Sequence, residues 1–356
     1  MKLSSYVSAI AISVLGFNQD VSAQFMDNSG CRRILVRKEV NDLSQGEWMA
    51  FARVAQELHR RGILEQFARI HNNLGMVVHN SGVFLPWHRR FVNHLQQAVF
   101  SIDPSVVLPY WDWTISWQAP ERNPVLTGNM FGGNGFGASR CIRNGISAGW
   151  QKRYPFNGCV TRIFKDISSP GAFWPPNAVA RLSNNARNFA EFSQNLENGP
   201  HGIVHIGIGG DMNEMWAPND ILFFLHHGMV DKVWADWQSM NQVNARDVNS
   251  RAANGQRITL QSWLPYYNEP IYTAMNTRGS GYCYVYQPPQ MSGFRTLGSN
   301  NSTMYDDVDL DGGKLPIPTI ELESIMESKF MYNPRIVQRM NELVAEVVSE
   351  MNNRTS

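Results

Sequence analysis

Two stretches decide how this chain reads: PHGIVH (Pro200–His205) and, just after it, NDILFFLHHGMVDKVWADWQ (Asn219–Gln238). His201 and His205 are four residues apart, so on a helix they project from one face, one turn apart. Pro200 suits the first helical position, where its missing N–H costs nothing. His227 and Asp231 share the same four-residue spacing, and a carboxylate there can take the second N–H of a liganding imidazole and fix its tautomer. Working outward, His71, His79, His88 and His94 form a cluster roughly a hundred residues upstream of His201, His205, His226 and His227. FLPWHRRFVNHLQQAVF reads as a helix opening near Pro86, with Phe91, Val92, Leu95 and Val99 as its apolar stripe and His88 facing inward.

A lone histidine on an apolar face is ordinarily a core residue. Two clusters, each beside aromatic runs, point instead to two adjacent metal ions, each taking three imidazoles. Di-iron bundles need bridging carboxylates with Glu-x-x-His spacing, which these clusters lack. A catalytic zinc of the H-E-x-x-H type needs a glutamate base that is missing here. All-imidazole triplets suit copper and its two oxidation states.

The run from His79 through FLPW to His88, followed by LPYWDW, PHGIVH and ILFFLHHGMVDKVWADWQ, resembles the tyrosinase and polyphenol oxidase family over about residues 37–286. The resemblance implies a mainly α fold: a four-helix bundle housing a binuclear copper site, with long loops and a short C-terminal extension. It implies two copper ions as cofactors, dioxygen as co-substrate and oxidation of small phenols to o-quinones. Carried over by position, His71, His79 and His88 hold one copper. His201, His205 and His227 hold the other, with His226 beside them as a supporting or packing residue. Phe223 matches the aromatic ring between the metals, and Asp112 and Asp231 match supporting carboxylates. Tyr284 and Tyr286 match the tyrosine motif that closes the core domain. Glu197 matches a glutamate that holds a water near the second copper.

The chain also departs from the family. Gln96 stands where many members carry glutamate, and Ile221 replaces the usual proline after Asn-Asp. Val77 occupies the place of the cysteine that forms a thioether in some relatives. Gly202 stands where members efficient on monophenols often have asparagine, so o-diphenol oxidation is expected to exceed monophenol hydroxylation. His59 and His94 have no place in the pattern and are expected to be surface or packing residues.

Residues 1–23 read as a secretory signal. Lys2 gives a positive start, Tyr6–Phe17 is an apolar stretch too short to span a bilayer, and Val21-Ser-Ala23 is a cleavage-site pattern. A secreted protein fits the even count of four cysteines (Cys31, Cys141, Cys159 and Cys283) as two disulfides. Cys141 with Cys159 is the natural local pair, which leaves Cys31 with Cys283, although four cysteines permit three pairings. Sequons fall at Asn300, Asn301 and Asn353. A formal charge of +1 leaves no basic footprint for nucleic acid, and no membrane partner is expected after signal cleavage.

Residues 24–290 are expected to form the catalytic domain. Ser44–Arg60 reads as a helix with Ser44 and Glu47 as a capping box. The Pro- and Gly-rich stretch from Ser116 to Asn177 reads as a long loop. Residues 291–356 read as a linker and an amphipathic helix whose stripe of Ile336, Val337, Met340, Leu343, Val344, Val347 and Val348 packs on the core. A lid over the copper site or a dimer contact is the sharper reading of that stripe. Within the linker, Asp307-Val-Asp309-Leu-Asp311-Gly312 opens like a calcium loop, but Pro318 stands where its closing glutamate belongs, so it reads as a solvated acidic loop.

Together these features describe a secreted copper oxidase of the tyrosinase or catechol oxidase type, as in melanin or phenolic pigment formation. The alternative is a hemocyanin-like oxygen-binding or catalytically silent dicopper protein. Carriers are built as very large assemblies, which disfavours one short domain.

Overall fold

A computed structural model describes residues 30–279, 281–290 and 314–355. The expected signal segment, the acidic run at 307–312 and the sequons at Asn300 and Asn301 lie outside the described residues. The fold is mainly helical, as expected. Helices α1 (Gln45–Arg60), α2 (Ile63–Val78) and α3 (Phe84–Phe100) pack on one another. The Ser44–Glu47 capping box closes the start of α1. Helix α2 has no counterpart in the sequence reading, although its Ile63, Leu64, Phe67, Ala68, His71, Gly75 and Val78 form a buried face at helical spacing.

The stretch from Ser116 is a loop of short 3-10 turns and two-residue strand pairs, as expected, up to α4 (Pro176–Asn185). Helix α5 (Phe189–Leu196) then runs through a π turn (Glu197–His201) directly into α6 (Gly202–Ile208). Pro200 therefore lies inside a continuous helical run and not at its start, which corrects the sequence reading. The π turn, a form that clusters at functional sites, accommodates its missing N–H. Helix α7 (Leu222–Ser239) packs along α3 and is buried over most of its surface.

Two disulfides, Cys31–Cys283 and Cys141–Cys159, bring together the pairs expected. Next to the first, strand Leu35–Arg37 pairs in parallel with strand Tyr284–Tyr286 and ties the two ends of the core together. Gln96 is buried, donating from Nε2 to the Val106 carbonyl and accepting from the Leu108 N–H through Oε1. An ionised glutamate could not do both, so the departure at this position has a local structural reason.

The C-terminal part crosses back over the core. Residues 314–333, with the short helix α8 (Leu322–Glu327), lead into α9 (Pro334–Thr355). Helix α9 packs on α4, α5 and the π turn through buried Val337, Met340, Val344, Val347 and Val348. The stripe therefore packs on the core. Among the described residues no helix is long and apolar enough to cross a membrane.

Candidate metal centre

Each of the two histidine sets is assembled from neighbouring helices. His71 comes from α2, His79 from the residue that ends it, and His88 from α3. One potential ligand atom from each lies within 4.8 Å of the others, and the Nε2 atoms of His71 and His88 approach to 3.3 Å. His201 ends the π turn, His205 lies on α6, and His226 and His227 lie on α7; their ligand atoms also lie within 4.8 Å of one another. The six residues expected as ligands therefore fall into the two expected groups, with His226 as a fourth member of the second. His94 instead packs against Phe67 and Tyr267, and His59 stacks on Trp150, so both lie outside the centre as expected.

Backbone carbonyls fix five of these rings. Nδ1 of His71 faces the Met215 carbonyl at 2.6 Å, that of His79 faces Gly75 at 3.1 Å, and that of His88 faces Phe84 at 2.9 Å. His201 faces the Glu197 carbonyl at 2.9 Å, and His205 is held by the Met212 carbonyl. In each case the carbonyl engages Nδ1 and leaves Nε2 for a metal, the arrangement that orients liganding histidines. The Nε2 atoms of His79, His201 and His205, and both ring nitrogens of His226 and His227, are buried without a partner. Buried polar atoms are rarely left unsatisfied, so this many orphaned nitrogens converging in one place fit metal ions. Burial lowers the basicity of all seven rings, His71 to about 4 and His205 to about 3, keeping them neutral and able to ligate.

Phe223 sits between the two sets, 4.2 Å from the His227 ring and 4.9 Å from that of His71. His227 also stacks on His88 at 4.3 Å and so faces the first set, whereas the ring of His226 lies against His205 at 4.7 Å and His201 at 5.2 Å, within the second set.

The carboxylates behave differently from the sequence expectation. Asp231 does not take an N–H of His227. Its oxygens are filled by Arg89 at 2.5 Å, by the hydroxyl of Tyr286 at 2.6 Å and by the hydroxyl of Tyr284, all buried or nearly so. Asp112 accepts from the Thr114 N–H and hydroxyl and touches no imidazole. Both carboxylates support the frame around the site and not the ligands themselves. Asp220, which sequence reading passes over, binds Arg162 through both oxygens, at 2.7 and 3.0 Å, and caps α7 through the Leu222 N–H.

Glu197 is buried beside the second set, and burial raises its carboxyl to about 8, offset in part by the Asn80 N–H at 2.7 Å. Its second oxygen has no partner. A Cβ on Gly202 would lie 3.1 Å from the Tyr332 ring and 3.3 Å from Ile320, so residue 202 faces the C-terminal segment.

That segment holds the residues sequence reading misses. Phe330 is fully buried, with its ring 4.4 Å from that of His205, 5.1 Å from His79 and 5.9 Å from His201. Tyr332 stacks behind it, 5.9 Å away. Only the aromatic spacing ahead of Asn333-Pro334 hints at this in the sequence, because the contacts span more than a hundred residues.

The metal-free centre makes stability depend on pH. The seven imidazoles have lowered basicity, so the stability they contribute is present above their unfolded value of 6.5 and is lost as pH falls through their folded values. Glu39 and Glu197, both raised to about 8, act with the opposite sign and lose their contribution as pH rises from 4.5 to 8. Below pH 6.5 the imidazoles outnumber these two carboxyls, so their sign prevails. Denaturant midpoints of the metal-free protein are expected to fall steeply from pH 6.5 to pH 4; a flat profile there would show that the rings are not buried.

Comparison with known proteins agrees with this geometry. The family model described as the common central domain of tyrosinase matches residues 61–240. Tyrosinase ustQ of Aspergillus flavus is 27% identical over 292 residues, covering 72% of this chain and 80% of that protein. A Streptomyces antibioticus tyrosinase is 31% identical over 229 residues, covering 57% of this chain and 82% of its own. Among solved structures, a single-site mutant of a polyphenol oxidase from Thermothelomyces thermophila superposes with a TM-score of 0.62 at 21% identity, over 72% of this chain and 89% of that one. An octopus hemocyanin functional unit superposes with a TM-score of 0.52 at 18% identity, over 71% and 68% of the two chains. With two convergent imidazole sets inside the matched helices, the chain belongs to the tyrosinase family of binuclear copper proteins, and its histidine clusters fit that copper site.

Proposed function

We propose that this protein is a secreted copper oxidase that converts o-diphenols to o-quinones with dioxygen, using His71, His79 and His88 at one copper and His201, His205 and His227 at the other. The observation that carries the reading is the convergence of two imidazole sets against Phe223, with buried, unpartnered Nε2 atoms at His79, His201, His205 and His227. Two copper ions held there would supply dioxygen binding and the electron transfer that oxidises a phenol. His227 is assigned as the ligand because it stacks on His88 and so faces the first set, while His226 lies only among rings of the second set and Trp113. Two disulfides and a signal-like start support the extracellular assignment.

The protein's own groups shape the site. Phe223 gives a flat apolar wall between the metal positions. Glu197, buried beside the second set, can take a phenol proton directly or through a water on its unpartnered oxygen. Gly202 contributes no polar side chain beside it, which favours o-diphenols, since a catechol needs no ring hydroxylation. A monophenol is expected to react more slowly than its matched catechol.

Phe330 fills the place a substrate ring would take, so release of that ring limits access. Burying one phenylalanine side chain stabilises the closed arrangement by roughly 1.5–3 kcal/mol, which corresponds to about a tenfold to hundredfold shift in the open fraction. Copper-loaded Phe330→Ala is expected to oxidise 4-methylcatechol with kcat/KM raised by about that factor over the native chain.

The same shielding favours a second reading, an oxygen-binding protein whose site no phenol reaches, in keeping with the hemocyanin likeness in fold. The two readings part in this experiment. Dioxygen uptake without quinone in Phe330→Ala would favour the carrier and overturn the oxidase.

A further inference from the structure

The carbonyls that orient five of the imidazoles come from two kinds of place. His79, His88 and His201 each face the carbonyl four residues earlier, at Gly75, Phe84 and Glu197, so their own helical turns hold them. His71 and His205 are held from outside their helices. Nδ1 of His71 faces the Met215 carbonyl at 2.6 Å, across 144 residues of sequence, and Nδ1 of His205 faces that of Met212. These two methionines stand three residues apart on one short segment, which opens with a 3-10 turn at Gly210–Asn213. One piece of backbone therefore orients a ring of each imidazole set.

A single carboxylate fixes that segment. Asp211 is buried, and its Oδ1 accepts from the Lys152 ammonium and from the indole N–H of Trp216 at 2.9 Å. Its Oδ2 accepts from the Thr161 N–H at 3.1 Å, while the Asp211 N–H returns a bond to the Thr161 carbonyl at 3.0 Å. Asp211 and Trp216 thus close a loop around Met212 and Met215. Gly210, at φ +57°, permits the close approach, since a Cβ there would lie 2.6 Å from the Thr161 carbonyl oxygen. Lys152 is buried too, on a two-residue strand paired with Gly158–Cys159, and the Cys141–Cys159 disulfide staples that hairpin. Desolvation offsets much of the attraction within such a buried pair, so its effect lies chiefly in where it holds the turn.

We propose that Asp211, gripped by Lys152, Thr161 and Trp216, is a positioning residue shared by both copper positions. It sets the Met212 and Met215 carbonyls, and through them the direction of Nε2 in His205 and His71. The proposal rests on the copper-oxidase reading and adds the group that ties its two metal positions together. Because a carbonyl only accepts, Nδ1 carries the proton in both rings and Nε2 is left for the metal. Asp211→Asn keeps the shape of the side chain, but its amide N–H groups must face either the Thr161 N–H or the Lys152 ammonium and the indole. At least one of the bonds on the carboxylate is then lost.

Two measurements on the full chain test it. The first is NMR of the metal-free protein carrying isotope-labelled histidine. In Asp211→Asn the Nδ1 protons of His71 and His205 are expected to exchange with water about tenfold faster, while those of His79, His88 and His201 keep their native rates. Unchanged exchange at His71 and His205, or equal quickening at all five rings, would overturn the proposal. Trp216 is only partly buried, and Trp216→Phe removes the indole N–H while leaving the ion pair, so it reads the same rings should Asp211→Asn fail to fold. A smaller quickening confined to His71 and His205 is expected there, and none at either ring contradicts the proposal.

The second measurement is copper retention against a chelator. Asp211→Asn is expected to hold copper about tenfold to a hundredfold more weakly at both positions, whereas His88→Ala empties one. Weakening at one position alone would refute the sharing. If the native chain itself retains no copper, the copper-oxidase reading fails, and the ring protons still decide whether Asp211 orients His71 and His205.

Discussion

His88→Ala and His205→Ala are each expected to abolish quinone formation, with a loss of at least about a thousandfold, while leaving the other metal position filled. Each removes one imidazole from a set whose members converge within 4.8 Å, and His88 and His205 belong to different sets. The carbonyls of Phe84 and Met212 hold these two rings by Nδ1, as those of Met215, Gly75 and Glu197 hold His71, His79 and His201, so none of those three rings can swing into the vacated position without breaking a buried bond. Phenol oxidation by a pair of metals needs both, so loss of either is expected to be as damaging as loss of both. Copper content should fall from two per chain to about one in each variant. Full activity in either would overturn the ligand assignment.

Asp231→Ala is expected to cost about 3–5 kcal/mol and to leave little folded protein at physiological temperature. The carboxylate is nearly inaccessible. It pairs with Arg89, lies 3.8 Å from Arg37 and accepts from the hydroxyls of Tyr284 and Tyr286. Its removal strands two guanidinium groups in the core, each lying over an aromatic ring, Arg37 over Tyr284 and Arg89 over Trp234. Asp231→Asn keeps the shape and loses the charge, so it should be destabilised less, though still measurably in chemical denaturation. A variant with native stability but weakened copper binding would return Asp231 to the ligand-supporting role that its spacing from His227 suggests.

That reversal of role shows where the sequence is legible and where it is not. Helical spacing, aromatic flanks and paired histidines are local, and the structure brings His71, His79, His88, His201, His205 and His227 into two groups as their pattern implies. The capping box at Ser44 and the buried stripe of α9 are local in the same way. The partner of a carboxylate is not. Asp231 has the correct spacing to reach His227, yet Tyr284 and Tyr286 reach it from more than fifty residues away, and Arg89 from across the helix pair. Helix α2 is easily missed because it lies between stronger signals, and Pro200 misleads because a π turn can hold a proline that an α-helix interior rejects. The plug at Phe330 is hidden for the same physical reason as the Asp231 network. Beyond the aromatic spacing ahead of Asn333-Pro334, nothing near Phe330 in sequence records that its neighbours in space are four histidines.

The paired copper centre is tested most directly by metal analysis of the native full chain after copper loading and removal of loosely held ions. Two coppers per chain are expected, each released as one set of imidazoles is protonated. A chain that retains one copper or none, or that binds zinc at both positions and rejects copper, would contradict a binuclear copper site.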